Sequence, residues 1–206
     1  MLVLPLCEQF CPDALPVQPA ERLGEGADGE VFAIVGEPDK VLKLVVFYDY
    51  DSVLDIHFKR IEKALDYLMQ AQPRGYARVY EHGYLGTFSR ELADWRAGKQ
   101  DFILYYYTME RLQKTTEDER KVFHSILSHE DRGIKKDFSA KEIRKMLRGL
   151  SQGLDFDAKK VTLFCENIRR APIEHLDIHV RNIMKDKKGN FKLIDLDRIE
   201  LEKKND

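Results

Sequence analysis

The sequence predicts an α+β protein of two lobes, with a sheet-rich first half and a helix-rich second half. Two observations carry this. Glu30–Val35 and Val41–Phe47 are strand-like and flank the turn cluster Gly36-Glu37-Pro38-Asp39, which is the pattern of a β-hairpin. Beyond residue 115 the pattern changes to charged segments that read as helices, opened by capping residues and acidic first turns. Length agrees, since 206 residues make one domain or two small lobes around a cleft. With 43% hydrophobic and 34% charged residues the chain is expected to fold as a globular protein.

Residues 1–20 hold Pro5, Pro12, Pro16 and Pro19 and read as an irregular arm. The run Gly24-Glu25-Gly26-Ala27-Asp28-Gly29 turns an earlier strand around Glu21–Leu23 back into the first hairpin strand. Val53, Ile56, Ile61, Leu65 and Leu68 form an apolar stripe near the 3.6 period, so a helix follows and ends before Pro73-Arg74-Gly75. Ala77–Tyr80 and Phe102–Tyr107 are further strands, completing a small antiparallel sheet with one helix against it. In the second half, helices are predicted over Thr116–His129 and Ser139–Leu150, with Thr116 and Ser139 as N-caps, and within Ala158–Arg170. Two short strands, Asn182–Met184 and Phe191–Ile194, are joined by the turn Lys187-Lys188-Gly189-Asn190. The expected division is an arm at 1–20, a first lobe at 21–110 and a second at 111–206, hinged near Glu110–Lys114.

Charge excludes some functions. Lys and Arg number 34 against 36 Asp and Glu, a formal charge of −2, which argues against a protein built mainly to bind nucleic acid. No apolar run approaches the ~18 residues of a membrane span. The apolar start Met1–Leu6 lacks a preceding basic region, so no signal peptide is expected. Three cysteines do not make a disulfide framework, and Cys7 and Cys11 lack a second ligand pair. Reduced thiols in a cytoplasmic protein are the expectation.

Four features carry chemistry. Gly24-x-Gly26-x-x-Gly29 is followed by a strand rather than a helix, which favours a glycine flap over phosphates above a dinucleotide fold; a plain hairpin turn explains it equally well. Lys43 interrupts an apolar strand, so it either snorkels to solvent or meets an anion in a cleft. Glu62, 19 residues on, is either its carboxylate partner or a surface charge. His175-Leu176-Asp177-Ile178-His179-Val180-Arg181-Asn182 offers a carboxylate able to take a hydroxyl proton and, five residues later, an amide oxygen for a hard cation. Asp195, closing the apolar strand that ends at Leu193-Ile194, is costly in a core and apt beside a metal. A metal hydrolase built on His175-x-Asp177-x-His179 is disfavoured, because His57, His82, His124 and His129 show no completing spacing.

Taken in order, these features resemble the protein-kinase-like superfamily: glycine flap, strand lysine, helix glutamate, H-x-D-x-x-x-x-N loop and strand-end aspartate. The spacings Asp177 to Asn182, five, and Asn182 to Asp195, 13, are similar to those of kinases, and the likeness runs from about Glu21 to Asp197. It implies a two-lobed fold using ATP and Mg²⁺. On this resemblance Gly24, Gly26, Gly29 and Val31 cover the nucleotide, and Lys43 contacts its phosphates, held by Glu62. Met109 matches the gatekeeper, while Glu110 and Leu112 match the backbone contacts to adenine. Asp177 matches the base that orients the acceptor hydroxyl, and Asn182 and Asp195 match the Mg²⁺ ligands.

The chain departs from that pattern in places. Leu176 replaces the arginine that usually precedes the catalytic aspartate, so control by a phosphorylated activation loop is not expected. His179 stands where Ser/Thr kinases usually carry lysine, which resembles the small-molecule phosphotransferases; Arg181 either replaces that charge or faces solvent. Asp197 replaces a glycine and either adds a carboxylate or stiffens the turn. Asp28, at the flap's tip, repels phosphate if it faces the nucleotide. Only 11 residues follow Asp195, which leaves no room for a full activation segment or the later helices. The chain therefore resembles a minimal, atypical kinase of bacterial, archaeal or phage type with a truncated second lobe, whose acceptor is expected to be protein Ser/Thr, itself included. A small-molecule phosphotransferase of the aminoglycoside or choline kinase-like type and a pseudokinase binding module are the alternatives. A protein substrate or regulatory partner is expected; nucleic acid and membrane are not. The charge cluster Arg132–Lys136 is either a partner surface or a solvated loop, the latter being the more ordinary reading.

Overall fold

The computed structural model describes residues 15–26, 29–48, 54–91, 99–128, 140–151, 153–175 and 178–202. They group into two compact units, one within Met1–Leu65 and Val79–Arg111, the other within Asp66–Arg78 and Leu112–Asp206. The architecture is α+β, with an antiparallel sheet in the first unit and most of the helix in the second.

The first unit holds β1 (Pro19–Glu25), β2 (Gly29–Ile34), β3 (Glu37–Tyr48), β4 (Val79–Glu91) and β5 (Lys99–Glu110) in one sheet of order β1-β2-β3-β5-β4. All its ladders are antiparallel, so the sheet is a run of hairpins apart from the step that brings β5 between β3 and β4. Central β3 is buried without interruption from Val41 to Val46, Lys43 included. Phe32, Ile34, Leu42, Leu44 and Tyr106 pack as one cluster, and Leu15 and Val17 lie against it. Full burial of leucines such as Leu42 and Leu44 contributes about 1.5–3 kcal/mol each. Helix α1 (Leu54–Ala71) begins in this unit, and its Phe58 meets Tyr105 edge-on at 5.2 Å and Phe47 at 6.4 Å.

The second unit carries α2 (Glu117–Ser128), α3 (Ala140–Leu150) and α4 (Ala158–Arg170). Two small antiparallel sheets accompany them. One is β6 (Gln113–Lys114), β8 (Ile183–Lys185) and β9 (Phe191–Leu193); the other pairs β7 (Ile173–His175) with β10 (Ile199–Leu201). Phe123 of α2, Phe164 of α4 and Phe191 of β9 interlock edge-to-face at centroid distances of 4.8–6.2 Å. Thr116 and Glu119 form a reciprocal capping box, the hydroxyl accepting from Glu119 N–H at 3.2 Å and the carboxylate from Thr116 N–H at 2.7 Å. The same Glu119, buried, pairs with Lys185 at 2.8 Å and so ties α2 to β8. Among the described residues no helix is long and apolar enough to cross a membrane. Cys165 is a buried free thiol; Cys7 and Cys11 lie outside the described residues.

Several elements differ from expectation; among them, β6 was not expected, and Asn182 closes a 3₁₀ turn, Val180–Asn182, instead of opening β8. The arm assigned to 1–20 already enters β1 at Pro19. β4 runs to Glu91 rather than stopping near Tyr80, because its glycines serve the strand instead of ending it. The missing side chain of Gly83 leaves room for the Tyr106 ring, and the ladder shifts register between Tyr84 and Gly86, a β-bulge. The pair β7–β10 was not expected at all: each strand has three residues and its partner is distant in sequence.

Two predictions follow from these contacts. A Cβ at Gly29 would collide with the backbone carbonyl oxygen of Leu44, whereas at Gly24 it would meet nothing within 4 Å. Gly29→Ala should therefore lower stability by roughly 1–3 kcal/mol and Gly24→Ala by less than about 0.5 kcal/mol, read from urea midpoints. In the β8–β9 turn, Asp186 accepts from Lys188 N–H, Asn190 N–H and the Asn190 amide, each at 2.8 Å. Burial acts to raise its pKa, but the bonds from Asn190 and Lys188 prevail and hold it below the usual carboxylate value. A depressed folded pKa stabilises above the unfolded value and loses that contribution as pH falls through the folded one. Asp186→Ala should cost about 1 kcal/mol at neutral pH, and its melting temperature should fall less steeply than wild type below about pH 4.

Candidate functional site

In the first unit, Lys43 is the buried cation of β3, 7% exposed. The ladders place it between Val31 on β2 and Tyr107 on β5, and its Nζ lies 5.8 Å from the centre of the Tyr107 ring. A lysine held so deep in an apolar strand is not a solvated surface charge. Glu62 lies half-buried on α1. Gly24, Gly26 and Gly29 belong to the β1–β2 hairpin, where Gly26 N–H donates to Gly29 O at 2.8 Å; Ala27 and Asp28 lie outside the described residues. Glu30, buried beside this turn, is held by Arg22 at 2.9 Å. Met109 is buried on β5 opposite Val41, Glu110 ends that strand, and Leu112 follows half-buried.

In the second unit, Asn182 and Asp195 are brought together by backbone pairing. β8 and β9 align Ile183 with Leu193, and beyond that pair Ile194 N–H donates to Asn182 O at 2.8 Å. Asp195 follows directly. Asn182 closes a single 3₁₀ turn, Val180–Asn182, through its N–H to His179 O at 2.9 Å, and its amide is buried. His179 Nδ1 accepts from Arg181 N–H at 3.1 Å, so in the neutral ring the proton sits on Nε2.

Asp195 occupies the left-handed region at φ 64°, ψ 55°. That conformation is unfavourable for a residue with a side chain and persists only where the surroundings enforce it. Those surroundings are visible on both sides. Buried His175 on β7 reaches the Ile194 carbonyl with Nε2 at 3.1 Å, and Leu196, with no exposed surface, anchors the next 3₁₀ turn, Leu196–Arg198. Asp197 in that turn is buried, 4% exposed.

Asn182 and Asp195 thus offer an amide oxygen and a carboxylate from adjacent strand ends. These are hard oxygen donors of the kind Mg²⁺ takes, and Mg²⁺ needs few protein ligands because it keeps water in its shell. The donor set fits the ion the sequence implies. Among the described residues no three or more His, Cys, Asp and Glu cluster as a metal site. Asp177 and Leu176 lie outside the described residues.

Sequence reasoning missed the positioning role of His175, whose contact with Ile194 spans 19 residues and depends on pairing between β7 and β10. Its place two residues before Asp177 was the one signal.

No protein-family model matches the chain, and no curated protein matches it. Among solved structures, a Stt7 homologue from Micromonas algae soaked with ATP is similar at TM-score 0.47 and 17% identity over 94% of this chain and 52% of that one. The chain thus spans about half the length of that protein.

The left-handed backbone at Asp195 supplies a test. Glycine adopts φ 64° without a Cβ clash, whereas alanine does not. Asp195→Gly should be more stable than Asp195→Ala by about 1 kcal/mol in urea titrations, although both remove the carboxylate. Equal stabilities would show that the backbone is not under this constraint.

Proposed function

We propose that the chain is an ATP- and Mg²⁺-dependent phosphotransferase, a minimal protein serine/threonine kinase that passes the γ-phosphate to a hydroxyl, its own included. The observation that carries this reading is the Asn182–Asp195 pair: an acid kept in an unfavourable backbone conformation beside a buried amide, with His175 bracing the residue between them. Glycine would make this turn without a Cβ clash, so the acid adds a carboxylate that the turn itself does not require. Buried Lys43 supports the reading from the first unit, as a fixed positive charge for phosphate oxygens.

In the transfer, the acceptor oxygen forms a bond to the γ-phosphorus as the bond to the β-phosphate bridging oxygen breaks, and ADP leaves. Asp177 is assigned the acceptor's hydroxyl proton, as the resemblance implies. Lys43 would steady the α- and β-phosphates, and Asn182 and Asp195 would hold the cation. When bound, Mg²⁺ supplies neutralisation of the phosphate charge. The residues supply position and charge rather than a covalent intermediate.

A second reading is a nucleotide-binding module without transfer, which would use the same buried Lys43 and the same Asn182–Asp195 pair. One experiment separates the two. Labelled γ-phosphate from Mg·ATP is offered to wild type, Asp177→Ala and Asp195→Ala, with the chain itself and a generic protein as acceptors. Label on wild type, reduced at least about 100-fold in both variants, is expected. Mg·ATP binding without label would favour the module; equal labelling of all three would remove Asp177 and Asp195 from the machinery.

A further inference from the structure

A groove of about 670 Å³ lies between α3 and α4, wholly within the second unit and away from Asn182 and Asp195 in sequence. Its α3 wall presents Arg144, Leu147 and Arg148, one face at the i, i+3, i+4 spacing of a helix. Its α4 wall presents Lys159, Leu163 and Glu166. Leu147 is buried and forms floor, whereas Leu163 is 44% exposed, a large apolar side chain left at the rim.

The polar groups are of one kind. Thr162 and Ser151 also line the groove, but their hydroxyls already donate to Ala158 O at 2.8 Å and Arg148 O at 2.9 Å. Glu166, the one acid in the lining, is shared between Arg144 at 3.5 Å and Arg170 at 3.6 Å. Arg148 and Lys159 form no ion pair with a described residue. Three cations and one compensated anion thus surround an apolar floor, in a chain whose overall charge is −2.

We infer that this groove is a docking site for an acidic protein segment that carries an apolar side chain. The apolar residue would cover Leu163 and Leu147, while flanking Asp or Glu carboxylates would meet Arg148 and Lys159. Charge complementarity selects the sign of the partner, and a volume within the roughly 300–1,000 Å³ of ligand sites suits one or two side chains rather than a flat contact. Two other anionic partners fit less well. Nucleic acid is bound along stripes of many cations, and here there are three in a net-negative chain. A membrane would need an exposed apolar helix face, but the Ile143 and Leu147 face of α3 is buried within the unit.

The test is direct binding to the full chain, read by fluorescence anisotropy and independent of phosphate transfer. The probe is a labelled peptide of about ten residues, rich in Glu with a central Leu-Phe, at a length able to span the groove. Saturable binding that weakens with added salt is expected, and Gln in place of Glu should weaken it about tenfold. The double variant Arg148→Gln, Lys159→Gln should lose about tenfold and Leu163→Ser about fivefold, with circular dichroism unchanged because all three side chains are exposed. No saturable binding, or equal affinity in the variants, would overturn the assignment. So would tighter binding of duplex DNA or phosphatidylserine vesicles than of the peptide at the same salt.

Discussion

The second unit depends on where β9 is held, and β9 is held by Phe191. Its ring is wedged between Phe123 of α2 and Phe164 of α4, all three nearly without solvent exposure. Aromatic rings in this edge-to-face arrangement are worth about 0.5–1.5 kcal/mol per pair beyond their burial. Once β9 is fixed, β8 pairs with it, Ile194 N–H finds the Asn182 carbonyl, and the backbone has one route left at Asp195. The candidate cation site is therefore a consequence of core packing on its far side.

The same economy appears at Glu119. One carboxylate closes the capping box of α2 and, through Lys185, fastens that helix to β8. A charge this deeply placed would be costly alone, and its pairing with both a backbone N–H and an ammonium offsets the desolvation. In the first unit the comparable constraint is β3, buried on both faces, which obliges Lys43 to lie among side chains rather than in water. The glycine hairpin beside it is shaped by a simpler rule, since at Gly29 the chains approach too closely for any side chain.

Much of this was legible in the sequence. The hairpin β2–β3 was marked by its turn cluster, α1 by its stripe, and α2 by Thr116 as an N-cap before an acidic first turn, while α4 was placed within Ala158–Arg170 without the Asp157 cap that the structure shows. What escaped notice depended on partners remote along the chain. β4 was expected only over Ala77–Tyr80, because the Tyr106 ring that uses the bare backbone of Gly83 comes some 20 residues later. β7 and β10 are too short to show a period, and each is a strand only because the other is present.

For the site, the sequence by itself determined the residue types, their order and their spacing: Lys43 in an apolar strand, Asn182 13 residues before Asp195, and an acid where an apolar strand ends. Those are properties of side-chain chemistry and local periodicity, which a linear reading captures. Only the tertiary structure decided that Lys43 is buried, that Ile194 N–H bonds the Asn182 carbonyl and so brings Asp195 beside it, and that His175 braces Ile194. The physical reason is that burial and φ are set by neighbours from other elements. A strand end is forced into the left-handed region by what packs above and below it, and nothing in the residues beside Asp195 announces that force.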